Sequence, residues 1–87
     1  MANHIEEQIV HLQGEMLYAM SGSDLRAEDG PAIRQIMLAS QMIEDSHWRL
    51  SMLHSGMQMI SMSKKLRHLE YQEAWRASSR AVFKANY

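Results

Sequence analysis

Residues 31–60 read PAIRQIMLASQMIEDSHWRLSMLHSGMQMI, and this stretch decides the fold. Within it Ile36, Ile43, Leu50 and Met57 recur seven residues apart, and Ala39, Ser46, Leu53 and Ile60 repeat the row three residues later. Two sevenfold rows offset by three lie on one side of an α-helix and form the a/d seam of coiled-coil packing. Pro31 supplies the start, because proline suits the first helical positions, where its missing amide hydrogen has no partner to lose. No proline follows, so Gly56, after Ser55, is the candidate break. The pattern predicts a helix over about 31–54 and another over about 57–84, either separated at Gly56 or continuous through it. Past Ile60 the seam ends, since the next positions in register are Lys64 and Arg67. Apolar side chains then shift to Met59, Met62, Leu66 and Leu69, and later to Tyr71, Trp75 and Val82.

Upstream, Ile5, Ile9, Leu12, Met16 and Ala19 follow spacings of four, three, four and three. That is the narrow apolar stripe of a helix with one neighbour, predicted over about 4–20. Asn3 with Glu6 makes a capping-box arrangement at its start. Gly14 falls opposite the stripe, and Ser21 with Gly22 marks the end, where glycine can turn left-handed. Residues 21–30 are the connector, in which Ser23 is placed to cap a short turn through Glu28.

Eighty-seven residues allow one domain, 1–87. One proline, four glycines and an abundance of Ala, Leu, Met, Gln, Glu, Lys and Arg leave little from which to build a sheet. The expected fold is all-α: a small helical hairpin or three-helix bundle with coiled-coil-like packing. A chain this short buries a modest share of its surface, and with no cysteine it has no disulfide to compensate. Oligomerisation is the remaining remedy. The absence of cysteine also removes a thiol nucleophile and a thiolate zinc site. The opening residues carry no basic segment followed by an apolar one, and no run approaches the ~18 apolar residues of a membrane span. The expectation is a cytoplasmic protein.

A net charge of −1 conceals strong polarity. Residues 1–45 hold eight acids (Glu6, Glu7, Glu15, Asp24, Glu28, Asp29, Glu44, Asp45) against Arg26 and Arg34. Residues 46–87 hold seven bases (Arg49, Lys64, Lys65, Arg67, Arg76, Arg80, Lys84) against Glu70 and Glu73. Such asymmetry suits either self-complementary packing, preferably antiparallel, or an anionic partner for the basic half.

Six of nine methionines fall between Met37 and Met62. A flexible, polarizable methionine face adapts to partner surfaces. The expected docking residues are therefore Met52, Leu53, Met57, Met59, Ile60 and Met62, with Trp75, Arg76 and Arg80 as rim anchors. The partner is expected to be another protein or a second copy of the chain. Arg76, Arg80 and Lys84, at i, i+4 and i+8 beside Tyr71, Trp75 and Phe83, also offer a nucleic acid a basic stripe with aromatics, although the pI is near 6.5. A third reading rests on Glu44 and His47, whose Glu-x-x-His spacing resembles that of ferritin-like di-iron proteins. His47, His54 and His68 share a heptad position, as do His4 and His11 on the first helix. No phosphate-binding glycine loop, nucleophile elbow or HExxH is present. The sequence thus points to a non-enzymatic helical interaction module that uses no cofactor.

Overall fold

The computed structural model describes the backbone of residues 4–22 and 24–85 and the side chains of residues 4–22 and 24–81. Asn3, Ser23 and the side chains of Val82, Phe83 and Lys84 lie outside the described residues. Three helices follow in order: α1 (His4–Ser21), α2 (Gly30–Gln41) and α3 (Ser46–Ala85). The protein is all-α, and both α1 and α2 pack against α3.

The apolar stripe of α1 meets α3 as its spacing requires. Ile9 and Met16 are buried, and Ile5, Leu12 and Ala19 pack partly buried beside them. Gly14 faces outward, with open space where a side chain would stand. α1 ends at Ser21, whose hydroxyl donates to the Tyr18 carbonyl at 2.7 Å. Gly22 has no positive φ, so a side-chain bond closes this helix rather than a left-handed glycine.

The long helix expected over 31–54 is in fact two helices. The chain leaves α2 after Gln41 and enters α3 at Ser46 through a four-residue loop, and α3 then passes straight through Gly56. Neither glycine nor proline makes this break. Met42 and Ile43 donate backbone hydrogens to the carbonyls of Ala39 and Ser40, tightening the last turn. The Ser40 hydroxyl turns back onto the Met37 carbonyl at 2.6 Å. Arg49 of α3 then reaches across, its Nε donating to the Ser40 and Ile43 carbonyls at 3.1 and 3.0 Å. Carbonyls at a helix end thus gain a cation, which also suits the helix dipole there.

Asp45 caps α3 by accepting the Trp48 amide at 2.9 Å. Asp45→Ala is expected to lower stability by about 1 kcal/mol. Asp45→Asn should retain most of it, with urea midpoints as the measure.

Gly56 is buried at the centre of the bundle. A β-carbon there would lie 2.5 Å from Met16 Cε and 3.4 Å from Ile36 Cγ2. Its role is to admit α1 and α2 close to α3, not to bend the helix. Around it the core consists of Ile9, Met16, Leu25, Ile33, Met37, Leu53 and Ile60. After α1 the connector reaches Ser63 and Arg67, well along α3, and α2 then returns past Gly56 to the start of α3. The helices therefore run up, down and up.

Candidate docking surface

The connector fastens to α3 through Arg26. Its backbone amide donates to Ser63 Oγ at 3.0 Å, and its guanidinium meets Asp29 at 2.9 Å, Glu28 at 3.1 Å and Glu70 at 3.1 Å. Arg67 adds a bond from Nη1 to the Leu25 carbonyl at 2.9 Å. Small Ser63 is buried at the point where the chain crosses α3. Hydrogen bonds from Arg26 and then Ser63 hold the Asp29 carboxyl below the usual carboxylate range. The bond to Asp29 raises the Arg26 guanidinium in turn.

A carboxyl whose folded pKa is depressed binds fewer protons when folded, so its stabilisation is present above the unfolded value of 3.8. That stabilisation is lost as pH falls through the lower folded value. Asp29→Asn is therefore expected to flatten the acid limb of the melting temperature measured from pH 6 to pH 2.5. At neutral pH the variant should melt below the unsubstituted protein.

Past this anchor α3 continues alone. From Arg67 to Ala81 every residue is exposed except half-buried Ser79. The heptad rows that pack against α1 and α2 nonetheless run on. Leu53 and Ile60 lead through Arg67 to Ala74 and Ala81, while Met57 and Lys64 lead to Tyr71 and Ser78. Trp75 stands beside them, 65% exposed, and Tyr71 is 71% exposed. The buried side of α3 therefore extends beyond its cover as small residues and two aromatics.

The residues expected to dock separate into three groups. Leu53 and Ile60 are buried in the chain's own core, and Met57 packs partly buried against it. Leu53 therefore lies inside the chain's own core, whereas Met57 and Ile60 also line the shallow groove between α1 and α3. Met52 is half-buried, whereas Met59 and Met62 face outward. Trp75, Arg76 and Arg80 are exposed on the extension. Met62, Leu69 and Arg76 fall seven apart, on a different side from Tyr71 and Trp75.

Glu44 lies in the loop between α2 and α3, outside any helix. Without helical spacing, Glu44 and His47 cannot project together as the ferritin-like pair does. His47, His54 and His68 are exposed, and His68 bonds Gln72 at 3.1 Å. Among the described residues no three His, Asp or Glu side chains gather to hold a metal ion. Arg26, Arg49 and Asp45 were not singled out by spacing, although an acid three residues before Trp48 was the available sign of a cap.

Two further apolar areas are exposed. Met42 and Trp48 stand at the α2–α3 loop, and Val10, Leu17 and Tyr18 lie along α1. Val10, Gly14 and Tyr18 share a shallow groove with Met57, Ile60 and Lys64 of α3. Among the described residues no helix is long and apolar enough to cross a membrane. No protein-family model, curated protein or solved structure matches this chain.

Proposed function

We propose that the protein is a non-enzymatic docking module whose working surface is the uncovered end of α3. The observation that carries this reading is the continuation of the α3 core face past its cover, as Tyr71, Ala74, Trp75 and Ser78, with exposed Arg76 and Arg80 on the other side of the same helix. A helical face with small residues lets another helix approach closely, and exposed Tyr, Trp and Arg are the side chains that dominate protein interfaces. A module of this kind works by occupying or joining helical surfaces and needs no reactive centre. A cytoplasmic setting and a cysteine-free chain suit it.

The test is the pair Tyr71→Glu and Trp75→Glu made together. Both positions lie beyond the packed bundle, so helical content and melting temperature are expected to remain nearly unchanged. Association, read by light scattering for self-assembly and by pull-down for other proteins, is expected to disappear. A substituted protein that associates as before would remove the surface from consideration.

A further inference from the structure

We infer that the hollow where the connector crosses α3 is a binding site for the phosphate group of a small molecule. Lys64, Arg67, His68 and Tyr71 stand at i, i+3, i+4 and i+7, which places them on one side of α3. Together with Asp24 of the connector they line a hollow of about 300 Å³. That volume is at the lower end of the roughly 300–1,000 Å³ typical of small-molecule sites.

The way the connector is fastened leaves positive charge in this hollow unbalanced. Arg26 draws Glu28, Asp29 and Glu70 onto its own guanidinium, at 3.1, 2.9 and 3.1 Å. Glu73 projects from the side of α3 turned away from Lys64 and Arg67. Among the lining residues Asp24 is then the one carboxylate, set against two cations. Arg67 donates one N–H to the Leu25 carbonyl at 2.9 Å. A carbonyl neutralises nothing, so this bond holds the guanidinium in place and leaves its charge and its other donors available.

The lining chemistry suits a phosphate. An ammonium, a guanidinium, an imidazole and a phenolic hydroxyl all donate hydrogen bonds, and a tetrahedral anion with three terminal oxygens can accept several of them at once. A carboxylate ligand has two oxygens and satisfies fewer. His68 and Tyr71 also line a second hollow, shared with Gln72 and Trp75. Trp75 follows Tyr71 by about 6 Å of helix. A flat ring joined to the phosphate reaches these aromatic side chains, on which bases of any kind can stack. Free phosphate and a nucleotide share the phosphate chemistry, and titration separates them.

Calorimetric titration of the full chain at low salt, with inorganic phosphate and with a nucleoside 5′-monophosphate, tests the site. Saturable binding is expected. Lys64→Gln is expected to weaken it about tenfold, the worth of one charge-assisted hydrogen bond. Asp24→Asn is expected to tighten it, because the opposing carboxylate is gone. Both positions are exposed, so helical content and melting temperature should hold in both variants. A nucleotide that binds more tightly than phosphate, with the gain lost in Trp75→Ala, supports the site with a nucleotide as its ligand. Equal binding of the two probes supports it with phosphate itself. Absence of saturable binding by either probe would overturn the inference. So would binding that Lys64→Gln and Asp24→Asn leave unchanged, the mark of an adventitious ion only. An oligonucleotide retained with equal losses on substitution of Lys64, Arg76 and Arg80 would show a diffuse basic face in place of a pocket, and would overturn it too.

Discussion

Replacing Gly56 by leucine is expected to lower stability by about 3 kcal/mol, because a branched side chain is forced into a filled site. Already a lone β-carbon would stand 2.5 Å from Met16 Cε, with Ile36 close behind. Leucine adds three more carbons where α1, α2 and α3 converge, so the helices must separate or the side chain must adopt a strained rotamer. Gly56→Ala behaves differently. The nearest obstacle is the flexible end of Met16, and alanine gains about 1 kcal/mol of helix propensity over glycine. The net change with alanine is expected to stay within about 1 kcal/mol. Were Gly56 a bend between two helices, the size of the side chain would matter little. Urea unfolding of the two variants at one fixed protein concentration therefore reports whether α3 is straight and tightly covered at this point.

The second large effect is expected at Leu53. This side chain is fully buried in the core cluster that Ile9 and Met16 of α1 and Ile33 and Met37 of α2 also form. Leu53→Ala should cost about 3 kcal/mol through lost transfer energy and the cavity left behind. For a domain of this size that corresponds to a fall in melting temperature of about 12–24 °C. Met62, which is 57% exposed, provides the contrast, and Met62→Ala should change stability by less than about 0.5 kcal/mol. Equal losses at the two positions would mean that both faces of α3 are covered.

The same contrast shows what hydrophobic spacing can and cannot convey. The stripe of α1 was legible because one helix faces one neighbour, so each apolar residue in the row has the same destination. In residues 31–60 the sevenfold rows continue through residues 42–45, although no helix exists there. Ile43 keeps the spacing yet sits in a loop, because two antiparallel helices around one core can present apolar residues at intervals that mimic a single seam. The break itself rests on polar contacts that come from elsewhere in the chain or from side-chain rotation. Arg49 binding the Ser40 and Ile43 carbonyls and Ser40 folding onto Met37 carry no periodic signature.

The candidate surface was legible in part for the same reason. Trp75, Arg76 and Arg80 are exposed as their position past the end of the seam suggests, whereas Leu53 and Ile60 are buried in the chain's own core. Sequence spacing shows which residues lie on a helix's apolar side. It does not show whether the chain or a partner provides the cover. Gly56 is the clearest case, since a glycine reads equally as a hinge or as a place of close approach, and the distance to Met16 decides between them.

Arg49 has a consequence for how the molecule holds together in time. The α2–α3 pair closes a loop of four residues and is clasped at that loop by the guanidinium. By contrast, the meeting of Met16 with Gly56 spans some forty residues of chain. Closing the longer loop costs about 2 kcal/mol more conformational entropy than closing the short one. By chain entropy alone, the hairpin of α2 and α3 is thus the easier part to close and α1 the costlier part to bring back. Whenever α1 is away from α3, the core cluster that Ile9 and Met16 share with Leu53 and Ile60 is open on that side, and an opening of this kind exposes apolar surface without complete unfolding.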